Sequence, residues 1–75
     1  MQEKIIILRE RHNHSIKFVA DYLGISTKQY RAKEKGEYPF DLDEMFKLAK
    51  LYGETISNIF LPRSNQNGNN EKETV

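Results

Sequence analysis

The four residues Leu23-Gly24-Ile25-Ser26 constrain the fold of this chain more than any other feature. They join two segments that both read as short amphipathic helices. Upstream, Val19, Ala20 and Leu23 recur at helical spacing. Downstream, Ser26-Thr27-Lys28-Gln29 has the pattern of a capping box: the serine hydroxyl accepts from the Gln29 amide, and the Gln29 side chain reaches back. Gly24 ends the first segment, because a left-handed residue past a helix end costs glycine little. Helices joined by so short a turn cross steeply, and the second can be presented outward.

Three more helices are expected around this pair, each with its own start and stop signals. The first spans Glu3–Arg11, with Ile5, Leu8 and Ile6 on its inner side. The second, Ile16–Leu23, is capped by Ser15 and carries Phe18 and Tyr22 as an i, i+4 aromatic pair on its flank. The third runs Thr27–Lys35 and closes at Gly36. The fourth starts after Asp41 with acids at the positive end of its dipole. Leu42, Met45, Phe46, Leu48, Ala49 and Tyr52 give it a wide apolar stripe, and Gly53 stops it. Thr55 caps a final short helix, Ile56–Phe60, ended by Pro62. No strand pattern appears, so the fold class is all-α.

The chain has 75 residues, 37% hydrophobic and 31% charged, which suits one small globular domain with a marginal core. The domain is expected over residues 1–62. Residues 63–75, polar and with almost nothing to bury, are expected to form a disordered tail. There is no cysteine, so disulfides and thiolate metal sites are excluded. No apolar run approaches the roughly 18 residues a membrane span needs, and no signal peptide is read.

Net charge is +1, yet it is unevenly spread. Residues 1–35 carry eight Lys/Arg and four Asp/Glu; residues 36–75 carry four and seven. Lys28, Arg31, Lys33 and Lys35 crowd one helix against Glu34 alone. A basic face of this kind is the electrostatic footprint of a nucleic-acid binder, although a solvated helix surface has the same charges.

The third helix fits the first of these readings. Tyr30 points inward, which leaves Thr27, Lys28, Gln29, Arg31 and Ala32 on the outer, N-terminal face. A helix-turn-helix uses that part of its second helix to enter a major groove. Catalysis has no comparable support. Asp41, Asp43 and Glu44 are helix-start acids rather than an acid/base pair, and no serine, histidine and acid stand in motif context. His12 and His14 lack further ligands for a metal. An enzyme, a metal site, a cofactor and a small-molecule ligand are therefore not expected.

From Ile5 to Leu61 the chain resembles the Cro and phage-repressor type of helix-turn-helix domain, the XRE family. The resemblance rests on Leu8-Arg9-Glu10-Arg11, Val19-Ala20-Asp21-Tyr22-Leu23-Gly24-Ile25-Ser26, Tyr30 with Glu34-Lys35-Gly36-Glu37-Tyr38-Pro39, Leu48-Ala49-Lys50-Leu51-Tyr52-Gly53, and Ile56-Ser57-Asn58-Ile59-Phe60. It implies a compact five-helix, lambda-repressor-like DNA-binding domain that often works as a dimer on two half-sites. By position, Thr27, Lys28 and Ala32 would face base edges, with Arg31 on a base or the backbone. Lysine can donate to guanine O6 and N7, and Thr27 and Ala32 can touch a thymine methyl. Ser15, Ile16 through its backbone amide, Gln29 and Lys35 would meet phosphate. Arg9 and Glu34 match a charged pair that ties the first helix to the end of the recognition helix.

Three positions depart from the family pattern. Ile16 stands where glutamine is frequent. Lys33 stands at a usually apolar place, where its stem would cover apolar surface and its ammonium stay in water. Glu37 stands in a loop that is often basic.

These readings lead to a sequence-specific DNA-binding transcriptional regulator, repressor-like and of prophage or mobile-element type, located in the cytoplasm with the nucleoid. The alternative is a non-catalytic protein-interaction module, antitoxin-like or an adaptor, on the same fold. The expected partner is double-stranded DNA. The expected assembly is a homodimer through Phe60 and Leu61, which are read as projecting from a helix too short to bury them. Pairing there would set two recognition helices about 34 Å apart on one DNA face. The second possibility for Phe60 and Leu61 is that they fold back onto Tyr52 or Phe40.

Overall fold

Four of the five helices among the described residues begin on a side chain that accepts a hydrogen bond from the third backbone amide of its own helix. In the computed structural model, which describes residues 2–61, the helices are α1 (Glu3–Arg11), α2 (Ile16–Leu23), α3 (Thr27–Lys35), α4 (Leu42–Tyr52) and α5 (Ile56–Phe60). Ser15 caps α2, Ser26 caps α3, Asp41 caps α4 and Thr55 caps α5. These caps satisfy amides that have no partner inside the helix. α1 has no side-chain cap. Instead the Gln2 amide donates to the Glu34 carbonyl at 2.9 Å, which ties the start of the chain to the end of α3. No strand occurs among the described residues. The expected tail, residues 63–75, and Pro62 lie outside them.

The turn between α2 and α3 is as tight as its residues imply. Gly24 takes φ +78°, and Ile25 N–H donates back to the Ala20 carbonyl at 3.0 Å. Three residues, Gly24 to Ser26, separate α2 from α3, and the first turn of α3 is exposed.

One apolar core joins the helices. Ile5 of α1, Val19 of α2, Tyr30 of α3 and Leu48 of α4 are fully buried, and Phe40 enters from the α3–α4 loop. Phe40 meets Tyr30 on one side and the edge of Phe60 on the other, with ring centroids 5.9 and 5.5 Å apart.

Two expectations for α4 need correction. Leu42 and Phe46 do not belong to its buried stripe: they are 60% and 58% exposed. At about 100° per residue, Glu44, Leu48 and Tyr52 define the inner face, which turns Leu42 and Phe46 away from it. Glu44 is more than a helix-start acid. It is buried, closes a capping box with Asp41, and meets a lysine of α3.

Candidate nucleic-acid interface

Backbone geometry and side-chain pairing together decide which surface of α3 is free. Ser26 Oγ accepts from the Gln29 amide and Gln29 Oε1 accepts from the Ser26 amide, both at 3.0 Å. The box therefore uses only the carbonyl end of Gln29 and leaves its Nε2 hydrogens for an outside acceptor. On the inner side, Tyr30 is fully buried and its hydroxyl donates to Glu34 Oε2 at 2.8 Å. Burial, reinforced by that bond, pushes the Tyr30 phenol far above its ordinary range.

Arg9 of α1 reaches the same carboxylate. Its Nε donates to Oε2 at 2.8 Å and its Nη2 to Oε1 at 3.3 Å, with both side chains largely buried. The expected Arg9–Glu34 pair is thus present, and its hydrogen bond to Glu34 holds the Arg9 guanidinium above its usual range. Arg9 also donates to the His14 carbonyl at 3.2 Å. One guanidinium fixes both the end of α3 and the loop that leads into α2.

Lys33 departs from expectation. Its ammonium does not lie in water: it is 2.6 and 2.7 Å from the two Glu44 oxygens, and the lysine side chain is 18% exposed. A neighbouring carboxylate on α4 captures it, because Glu44 would otherwise be a buried charge without a partner.

With Tyr30, Lys33 and Glu34 occupied inside, the outer face of α3 is left to the expected residues. Thr27, Lys28, Gln29, Arg31 and Lys35 are exposed, and Ala32 is half-buried. Together they line one wall of a concavity of about 1070 Å³; Lys33, Glu37, Tyr38 and Pro39 form the remainder. Lys28, Arg31 and Lys35 make no ion pair among the described residues. Their charge is available to a polyanion, with Glu37 as the one acid among the described residues of the same wall.

Ser15 and Ile16 are not part of this concavity; they stand at the start of α2. Ser15 Oγ accepts from the Phe18 amide at 3.0 Å, which leaves its O–H free to donate. The Ile16 side chain packs against the core, so only its backbone can meet a ligand. Lys17 beside them is paired with Asp21 at 2.8 Å on the open surface. Sequence reasoning gives no role to Tyr38, which is 65% exposed in this wall. Its signal is an aromatic residue between Gly36 and Pro39, in a loop with no reason to hold one for packing.

Phe60 and Leu61 part ways. Phe60 folds back edge-on to Phe40 and is half-buried, which corrects the expectation that it projects freely. Leu61 does project, at 60% exposure. The two histidines are engaged locally: His14 Nδ1 is 3.0 Å from the Tyr52 hydroxyl, and His12 Nδ1 is 2.9 Å from the Leu8 carbonyl. No described helix is long and apolar enough to cross a membrane.

Comparison with known proteins agrees with this geometry. A family model described as helix-turn-helix matches residues 5–59. An uncharacterised HTH-type transcriptional regulator of Methanocaldococcus jannaschii is 38% identical over 61 residues, which cover 81% of this chain and 92% of that protein. No solved structure matches. The match runs from α1 to α5 and includes the turn between α2 and α3: the chain belongs to the XRE-type helix-turn-helix family.

Proposed function

We propose that this protein is a DNA-binding transcriptional regulator that inserts the N-terminal half of α3 into the major groove. The observation that carries the reading is the division of α3. Tyr30 and Glu34 are locked inside, while Thr27, Lys28, Gln29 and Arg31 are exposed on a concave, cationic wall. Family membership and the name of the archaeal relative support the same reading.

In this account Thr27, Lys28 and Ala32 face base edges, Lys28 donates to guanine O6 and N7, and Arg31 reaches from the base edges to the adjacent phosphate. The freed Nε2 of Gln29, the Ser15 hydroxyl, the Ile16 amide and Lys35 hold phosphates and set the register. A repressor-like role, of the kind carried by prophages and mobile elements, follows from the phage-repressor resemblance. Leu61 is the exposed apolar residue around which two copies would pair on a two-fold DNA site. Phe60 contributes its outer edge.

In vitro selection of bound duplexes from a random library tests the function. A palindromic motif is the expected product. Lys28→Ala should relax the preference at one base step by about 1–3 kcal/mol. A library that returns no enriched motif, with protein that remains folded, would favour a protein-interaction module. The exposed Leu42 and Phe46 on α4 are the observation that speaks for that second reading.

A further inference from the structure

The Lys33–Glu44 pair has a geometry that a surface ion pair does not have. Glu44 Oε1 accepts from the Asp41 amide at 2.9 Å as part of the α4 capping box, and Lys33 Nζ then approaches both carboxylate oxygens. The acceptor is therefore fixed by the backbone of α4 before the lysine reaches it. The two side chains are 18% and 7% exposed, so water competes little for the pair.

Its place in the fold gives it a job. α3 packs on α2 and α1 but not extensively on α4. The adjacent residue, Glu34, is held by Arg9 of α1. Residues 33 and 34 thus anchor α3 to two different helices, from directions about 100° apart around the helix axis. Tyr30 in the core and Arg9 on Glu34 hold α3 along one side, since residues 30 and 34 lie one turn apart on the same face; Lys33 on Glu44 adds an anchor in a second direction.

We propose that Lys33 and Glu44 are positioning residues that set the roll of α3, and so decide which outer side chains meet base edges. This rests on the DNA-binding reading above. Neither residue needs to touch a base. Lys33 sits in the wall of the concavity with its charge already spent on Glu44, and it acts by holding Lys28 and Arg31 at one angle to the groove.

The experiment compares parent, Glu44→Gln, Lys33→Met and Lys33→Arg. The carboxamide that Glu44→Gln introduces still accepts from the Asp41 amide, so the cap survives while the ion pair is lost. For each folded protein, affinity is measured at one salt concentration for the duplex selected by the parent and for a scrambled duplex of equal length. Glu44→Gln should lower the ratio of the two affinities about tenfold, the effect of one poorly matched base pair, without weakening binding to the scrambled duplex. Lys33→Met should do the same, and Lys33→Arg should keep the parental ratio. Unchanged ratios in Glu44→Gln and Lys33→Met, with lowered melting temperatures alone, would make the pair merely structural and overturn the proposal. A parent that shows no preference for any duplex would overturn it too, through the parent arm alone, which separates failure of the DNA reading from failure of the positioning role.

Discussion

Arg9 and Glu34 face each other across α1 and α3 at 2.8 Å, and the carboxylate oxygen that receives the Arg9 Nε–H also receives the Tyr30 hydroxyl. A buried carboxylate with a cation and a phenol donating to it is satisfied only while both partners stay. Arg9→Met leaves a buried charge, and breaking such a pair costs about 3–5 kcal/mol. A domain this small has little more stability than that. Chemical denaturation should place Arg9→Met near or beyond its unfolding midpoint in plain buffer. Arg9→Lys should fall between it and the parent, because lysine supplies charge without the second hydrogen bond.

Alkaline pH should unfold the domain through its buried phenols. Burial pushes Tyr52 up to about 12, and Tyr30 rises further in the same direction. An unfolded tyrosine loses its proton near 10. Above that pH the unfolded chain binds fewer protons than the folded one, so stability falls as pH rises. It is fully present below about pH 10 and is lost progressively as pH climbs through about 12. Thermal melts from pH 8 to 12 should show a steepening loss in the parent and a shallower one in Tyr52→Phe. Equal slopes in the two proteins would rule out this origin.

Glu37 is the acid in an otherwise cationic wall. Close to a phosphate backbone it repels, so Glu37→Lys should tighten binding to any duplex and steepen its salt dependence by about one phosphate contact. Fluorescence anisotropy on an arbitrary duplex measures this directly. Looser binding by the variant would instead assign Glu37 an accepting role toward a base, such as the cytosine amino group.

Self-association should centre on Leu61. Because Phe60 also packs on Phe40, a charge at position 60 would damage the core, and Leu61→Glu is the cleaner probe. Sedimentation should show the parent pairing on a palindromic duplex and Leu61→Glu binding it as a monomer with lower affinity. A variant that pairs as the parent does would move the interface elsewhere, with Leu42 and Phe46 as the next exposed apolar residues.

The helices are legible in the sequence because their boundaries are written in local chemistry: Ser15, Ser26, Asp41 and Thr55 cap through contacts three residues away. The outer face of α3 is legible for a related reason. A capping box marks where the helix starts and Tyr30 marks its inner side, so the residues opposite Tyr30 are expected to face out. Partners distant in the chain are harder to read. Glu44 reads as a helix-start acid until α3 brings Lys33 to it, and nothing local to either residue announces the other. The α4 stripe reads too wide, because Leu42 and Phe46 are as apolar as Leu48. Only the tertiary packing of α4, most extensive against α5, decides which apolar residues are covered. Phe60 is legible only as an alternative: Phe40 is one of the two partners expected for its folding back, but Phe40 lies in a loop that has no periodicity to decide between that contact and a free projection.

If the free cations of α3 meet the backbone and bases of duplex DNA, the contact must carry the signature of released counterions. The most direct measurement is the dissociation constant for a duplex as a function of salt, for the parent and for Arg31→Ala. With Arg31 and Lys35 in the concave wall, outside the ion pairs of the described residues and within reach of the backbone, each protein copy should show a log–log slope of roughly −2, and Arg31→Ala should flatten it by about one. A parental affinity that does not change with salt, or a slope that Arg31→Ala leaves intact, would contradict the account.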